Sequence, residues 1–281
     1  MYDEKVRQLL RQYLDEDLGS GDISSQFLAD SGIRTGYFTA RRQTVVAGLP
    51  FAGKIFELLG EVQWDPKTEE GQKARQGELL AAVTGPGHLL LQGERVALNL
   101  LQRLSGIATQ TREMAEAVKG YDVRITDTRK TTPGFRWFEK YAVRVGGGYN
   151  HRWGLYDAVM LKDNHIKLAG GIAAAVASVR ENLGHWPKVE VETESLDQVR
   201  EALEAKVDII MLDNMTPEEV AEAVRLIDGR AVTEASGSIG KENLVRYAAS
   251  GVNYISMGML THSVPSADIG FDLDEPKGGL K

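Results

Sequence analysis

Nine lysines and arginines stand against five acidic residues between Tyr121 and Lys167, in a chain whose formal net charge is −7. Within that stretch Arg129 and Lys130 lie together in DTRKTTPGFR, His151 and Arg152 follow a Gly-Gly-Gly-Tyr-Asn loop, and Lys162 ends the apolar run Ala158 to Leu161. A local positive excess in an acidic protein, set beside glycine and threonine, suits a small polyanion, so carboxylates and phosphates are the ligand chemistry it implies. Arginine's planar fork holds a carboxylate bidentately, which the point charge of lysine does not do. Arg124, Lys140 and Arg144 read differently, as solvated faces of a strand and a helix.

Two carboxylates oppose this cluster. Glu192 and Asp213 follow the same apolar pattern, VEVET and IIMLDN, and are expected to project from neighbouring strands into one cleft. Facing cations, they could hold a divalent ion, bind sugar hydroxyls or favour positive charge on a sugar carbon. The competing reading makes them salt-bridge partners of the nearby lysines. Oxygen ligands without cysteine favour magnesium over zinc. Glu190 is expected to face away or into packing. Small residues in EASGSIG (Ser236, Gly237, Ser238) and SMGML (Gly258) would let backbone N–H groups approach a phosphate at a helix N-terminus. The alternative is that these glycines only make tight turns.

The elements that must position these groups fall into two styles. The first third has a leading helix in MYDEKVRQLLRQYLDEDL, then short alternating segments at Gly36 to Ala40, Gln43 to Ala47 and Leu79 to Val83, with turn-rich stretches between. This reads as α+β. From Leu89 to about Lys119 the spacing becomes helical, and a helix pair is expected to link the two parts. After Gly120 apolar runs alternate with amphipathic helices. The runs are Val123 to Thr128, Ala158 to Lys162, Val189 to Thr193, Ile209 to Asn214, Val232 to Ser236 and Tyr254 to Gly258; the helices include Ile172 to Asn182, Leu196 to Ala205, Pro217 to Ile227 and Lys241 to Ser250. Repeated β-then-α order with near-continuous apolar strands predicts a parallel sheet. Six units suggest an incomplete TIM-like α/β barrel, with an open doubly wound sheet as the alternative. In a barrel the chemistry collects at the C-terminal strand ends, which is where Arg129, Lys130, Lys162, Glu192, Asp213, Ser236, Gly237 and Gly258 fall.

Composition sets the outer bounds. At 281 residues and 42% hydrophobic, the chain has the makings of one large or two moderate globular domains. Its acidity argues against broad nucleic-acid or membrane-surface binding. There is no cysteine, so disulfides, thiolate zinc sites and cysteine nucleophiles are excluded. The opening helix lacks the apolar core of a secretory signal and no window reaches the length of a membrane span, from which a cytoplasmic location is expected.

Several long motifs stand in order along the chain: EDLGSGDIS from Glu16, ERVALNLLQRLSGIAT from Glu94, DTRKTTPGFR from Asp127, NHRWGLYDAVMLKDNHI from Asn150, VEVE from Val189, MLDN from Met211 and GMLTHS from Gly258. Through them the chain closely resembles the quinolinate phosphoribosyltransferases, also called nicotinate-nucleotide pyrophosphorylases (carboxylating). The resemblance implies an N-terminal α/β sandwich domain with linking helices (1–115), an α/β barrel catalytic domain (116–265) and a C-terminal segment (266–281) packing back on the first. It implies a homodimer with shared active sites, with further assembly to a hexamer left open. Arg95 would be the group lent by the neighbouring chain, and Arg129, His151, Arg152 and Lys162 would surround the quinolinate carboxylates. Lys130 would lie near the pyrophosphate and sugar of phosphoribosyl pyrophosphate. Glu192 and Asp213 would face the ribose and its Mg2+, directly or through water, while Ser236, Gly237, Ser238 and Gly258 hold the 5′-phosphate. The family often reads SGG where this chain has Ser236-Gly237-Ser238, so altered contacts are expected there.

The implied reaction joins the quinolinate nitrogen to the ribose anomeric carbon, releases pyrophosphate, and loses the carboxyl group next to nitrogen to give nicotinate mononucleotide and carbon dioxide. Lys130, Glu192 and Asp213 would be the catalytic groups. Two other enzyme readings compete: a phosphoribosyltransferase for nicotinate or another pyridine acid, and an aldolase-type barrel using Lys162 or Lys130 as a Schiff-base amine. A non-catalytic phosphosugar-binding regulator is a third. The density of cations favours a diacid.

Overall fold

In a computed structural model of the chain, which describes residues 2–28 and 32–274, the polypeptide divides into two compact units, Met1–Gln110 with Val264–Lys281 and Thr111–Ser263. No helix among the described residues is long and apolar enough to cross a membrane.

The first unit begins with α1 (Tyr2–Leu18), whose Val6, Leu10 and Leu14 recur every fourth residue and form one buried stripe. The strand β1 (Ile33–Ala40) follows, then β2 (Thr44–Val45), α2 (Leu49–Leu59), β3 (Gln63–Pro66), β4 (Lys73–Ala74) and β5 (Leu79–Pro86). A four-stranded antiparallel sheet runs in the order Ile269–Leu273, β1, β5, β3, so the chain's last described strand returns to pair with its first. Phe38 of β1 packs against Phe56 of α2, Trp64 of β3 and Phe271 of the returning strand, with ring centroids 4.9 to 6.1 Å apart. This aromatic cluster is where helix and sheet layers meet. Neither β3 nor the strand Ile269–Leu273 was anticipated from the residue pattern. Residues 275–281 of the expected C-terminal segment lie outside the described residues.

The expected helix pair is instead a single helix, α3 (Gly87–Ala117), 31 residues long. Gly93 and Gly106 do not interrupt it. A Cβ at Gly93 would meet Phe56 at 2.6 Å, and one at Gly106 would meet the Pro265 carbonyl oxygen at 2.3 Å, so both glycines serve close packing.

The second unit is built on six parallel strands, β6 (Arg124–Thr126), β7 (Val159–Leu161), β8 (Val189–Thr193), β9 (Ile209–Asp213), β10 (Val232–Ser236) and β11 (Tyr254–Ser256). Their spatial order is β6-β11-β10-β9-β8-β7, each expected apolar run giving one strand. Between them come α4 (Arg136–Val145), α5 (Asp163–Ala169), α6 (Ile172–Asn182), α7 (Leu196–Glu204), α8 (Pro217–Ile227) and α9 (Leu244–Ala248), and after the last comes α10 (Met259–His262). Val191, Ile210, Leu212, Ala235 and Ile255 are fully buried, as the two-sided cover of a parallel sheet requires. Thr216 caps α8 through a reciprocal pair with Glu219, and Ser195 caps α7 by accepting from the Gln198 N–H. These caps start the helices directly after the strand ends that carry the chemistry.

Candidate active site

A cavity of about 310 Å³ opens in the second unit at the C-terminal ends of its strands, lined by Thr128, Arg129, Lys130, His151, Arg152, Met160, Lys162, Glu192, Met211, Asp213, Ser236 and Ser256. Eight residues singled out from sequence are thus brought to one place, six from the end of a strand or the loop beyond it, and His151 and Arg152 from the loop after α4. Thr128, Met160, Met211 and Ser256 were missed. Each belongs to a strand, or the turn after it, that already carried a candidate, and nothing about an isolated Met or Ser marks it as a cavity wall.

The cationic side is held by its backbone. Asp127 and Lys140 form an ion pair with both side chains wholly buried. Asp127 also accepts hydrogen bonds from the His151 N–H (2.8 Å) and the Asn150 amide (2.6 Å), while Lys140 Nζ donates to the His151 carbonyl (2.9 Å). Burial pushes the Asp127 carboxyl up and the Lys140 amine down, each against the attraction of the other. Lys140 is therefore not a solvated face, as its helical spacing suggested; it is a core residue, because the loop beyond α4 folds back over it. Arg124 and Arg144 are exposed and lie over the Tyr149 ring.

On the turn itself, Arg136 donates to the Thr131 hydroxyl and the Trp153 carbonyl, and the buried Glu139 accepts from the Thr132 N–H and hydroxyl. Thr261 donates to the Lys130 carbonyl at 2.7 Å. Arg152 is directed by its bond to the Ala158 carbonyl (2.9 Å). Burial, and then the charge of Arg129, lower its pKa.

Across the cavity, β8 and β10 flank β9, with Glu192 opposite Met211 and Ser236 opposite Asp213. Lys162 Nζ donates to Glu192 at 2.6 Å, so the salt-bridge reading of Glu192 holds for this arrangement, and the two share the cavity wall. Asp213 accepts from the Asn214 amide at 2.7 Å. Gly237 turns with φ 97° and Ser238 with φ 49°, the left-handed region that glycine adopts freely. Ser238 and Gly258 do not line the cavity; Gly258 lies against Lys130, where a Cβ would meet Cδ at 2.9 Å. Arg95 is an exposed residue of α3 in the first unit, close to Glu94, and is not among the lining residues.

Beneath the cavity floor lies a group that the sequence did not resolve. Glu190 shares the strand face of Glu192, and Glu234 that of Ser236, each one step deeper. Both are nearly fully buried, and His151 Nε2 stands 3.4 Å from a carboxylate oxygen of each. Of the two expected placements of Glu190, away or into packing, burial shows the second. Burial, opposed by the His151 hydrogen bond and reinforced by Glu234, pushes the Glu190 carboxyl up. Burial disfavours charge on His151, but hydrogen bonds and charges from the two glutamates outweigh it and would carry the ring's pKa up to about 10. Its other nitrogen pulls the opposite way, because Nδ1 accepts the Arg152 N–H at 2.7 Å and an imidazolium has no lone pair to accept with. The directional bond decides: the proton sits on Nε2, facing the carboxylates.

This tautomer bears on metals. His151, Glu190 and Glu234 offer ligand atoms within 4.8 Å of one another, yet an Nε2 that carries hydrogen does not coordinate. Glu192 and Asp213, two carboxylates at one cavity wall with no sulfur donor, make the set that fits a hard cation such as magnesium.

The matches to known proteins cover nearly the whole chain. The family model for the quinolinate phosphoribosyl transferase C-terminal domain matches residues 107–272, and that for the N-terminal domain residues 22–105. A relative from Bacillus subtilis, named a probable nicotinate-nucleotide pyrophosphorylase (carboxylating), is 46% identical over 96% of this chain and 93% of its own. The chloroplastic nicotinate-nucleotide pyrophosphorylase (carboxylating) of Arabidopsis thaliana is 42% identical over 96% of this chain and 83% of its own. The solved structure of NadC from Streptococcus pyogenes superposes with a TM-score of 0.92 at 43% identity, covering 96% of both chains. With both domains of the family present in order around a cation-rich cavity at the strand ends, the chain belongs to the quinolinate phosphoribosyltransferase family.

Proposed function

We propose that this protein transfers the phosphoribosyl group of phosphoribosyl pyrophosphate to quinolinate with loss of carbon dioxide, giving nicotinate mononucleotide for NAD biosynthesis. The observation that carries this reading is a single cavity in which Arg129, Lys130, Arg152 and Lys162 face Glu192 and Asp213. The two arginines and Lys162 suit the two carboxylates of the pyridine diacid, and a monoacid would leave part of that charge unmatched. Lys130, at the cavity edge beside Gly258, suits the pyrophosphate.

Breaking the bond to pyrophosphate leaves positive charge on the sugar, which carboxylates near the anomeric carbon favour in the transition state. Glu192 and Asp213 take that role, and the Lys162 contact keeps Glu192 directed into the cavity. They are also the residues that would hold magnesium, directly or through water, and the ion when bound neutralises the leaving group's charge. Attack by the ring nitrogen makes the pyridine cationic, so the adjacent carbon accepts the electron pair left by carbon dioxide. No protein nucleophile is required.

Ser236, Gly237 and Ser238, with Gly258, are assigned to the 5′-phosphate on the strength of the left-handed turn after β10. The working form in this reading is a homodimer in which Arg95 enters the neighbouring chain's site, with a cytoplasmic location supported by the acidic, cysteine-free composition. Incubation with carboxyl-labelled quinolinate, phosphoribosyl pyrophosphate and magnesium tests the activity. Equal yields of labelled carbon dioxide and nucleotide are expected, with nicotinate a poor substitute. Binding of both substrates without turnover would overturn it.

A further inference from the structure

Every polar atom of His151 is engaged inside the protein. Its N–H donates to Asp127, its carbonyl accepts from Lys140, Nδ1 accepts the Arg152 N–H, and Nε2 faces Glu190 and Glu234. The ring lines the cavity yet has no free nitrogen to offer a ligand there. Meanwhile the second oxygen of Glu190, Oε1, is buried with no hydrogen-bond partner among the described residues, and Glu234 Oε1 has only the 3.4 Å approach of His151 Nε2. Two carboxylates inside apolar strands, left partly unsatisfied under a pocket built for a dianion, would be costly unless they served a purpose at that place.

We propose that Glu190 and Glu234 are positioning residues that act through His151. By flanking Nε2–H from below, each with a carboxylate oxygen 3.4 Å away, they hold the ring electrostatically, and its Nδ1 then fixes the Arg152 amide and so the direction in which the Arg152 guanidinium enters the diacid pocket. His151 in this arrangement is a strut between the interior of the sheet and the binding loop, and not a ligand of the substrate. The groups facing it are Glu190 from β8, Glu234 from β10, Asp127 from the turn after β6 and Lys140 from α4; the charge of Arg152 also acts on Glu190. A metal-binding role for the same three side chains is disfavoured by the Nδ1 contact, which keeps the proton on Nε2.

The test has two independent arms. In the first, the wild-type protein is labelled with 15N-histidine, and the His151 signal is identified by its loss in His151→Gln. A pyrrole-type Nε2 and a pyridine-type Nδ1 are expected, whereas a proton on Nδ1, alone or as imidazolium, overturns the proposal. So does one equivalent of a tightly bound transition metal that is lost in Glu190→Gln.

The second arm rests on the diacid reading. Glu190→Gln and Glu234→Gln keep side-chain size and are expected to raise the KM for quinolinate about tenfold to a hundredfold, with the KM for phosphoribosyl pyrophosphate unchanged, as misplacement of a binding group would. In a His151→Gln background the same substitutions should add no further loss. A fall in quinolinate KM would show that the glutamates act only as repulsive charges, and full additivity would show that they do not act through His151; either sinks the idea. Failure of wild-type turnover would instead count against the proposed reaction and leave the first arm standing.

Discussion

A buried lysine and a buried aspartate decide how the binding loop sits, and neither touches the cavity. Asp127 and Lys140 satisfy one another and the backbone of His151, so removal of one leaves the other charged and alone. Lys140→Met is expected to cost about 3–5 kcal/mol of stability, read by urea unfolding, since an uncompensated buried carboxylate is among the costlier defects a core can hold. Arg129→Ala and Arg152→Ala act at the same scale but on binding. Each should weaken quinolinate by roughly 30-fold to several-thousand-fold, as loss of about 2–5 kcal/mol implies, with little change for phosphoribosyl pyrophosphate. Calorimetric titration of each substrate separately checks this, and equal losses for both would refute the division of the cavity.

Among the elements, the turn between β10 and α9 is the most sensitive. A Cβ on Gly237 would meet Asn214 Oδ1 at 2.3 Å and its backbone nitrogen at 2.7 Å, at a φ that an L side chain rarely takes. Asn214 in turn donates to Asp213. Gly237→Ala should therefore lose on the order of 2–4 kcal/mol in thermal unfolding and disturb the carboxylate wall along with the phosphate turn. Ser238→Gly is expected to be nearly neutral. Relief of left-handed strain, about 1 kcal/mol, is offset by a similar entropy gain of the unfolded chain. The strand pattern made most of this architecture legible: all six parallel strands and three of the intervening helices follow the expected positions closely. The pattern failed at α3, where one helix stands in place of the expected pair and its Gly93 and Gly106 are packing contacts, and at β3 and Ile269–Leu273, which are short strands with little alternation.

At the scale of the whole molecule the proposed shared site makes a distinctive demand. Arg95 lies in the first unit and Lys162 in the second, so an Arg95→Ala chain and a Lys162→Ala chain each lack a different component. Mixed and allowed to exchange subunits, two inactive variants should regain activity, because each hybrid dimer assembles one site with both groups intact. Turnover measured before and after mixing, with exchange followed by mass, checks this; no recovery despite confirmed exchange would place Arg95 outside the site.

The residue pattern alone determined the repeating β-then-α order, and with it the place where Arg129, Lys130, His151, Arg152, Lys162, Glu192, Asp213 and Ser236 would gather. Parallel strands buried on two faces advertise themselves as apolar runs, and their ends follow directly. Only the tertiary structure decided which charged side chains turn inward. Lys140 and Arg144 stand four apart on one helix, yet one is wholly buried and the other exposed. Glu190 and Glu192 share a strand face, yet one reaches the cavity and the other lies beneath it. Burial of a charge depends on a partner brought from a distant segment, Asp127 for Lys140 and His151 for Glu190, and local spacing holds no record of that partner.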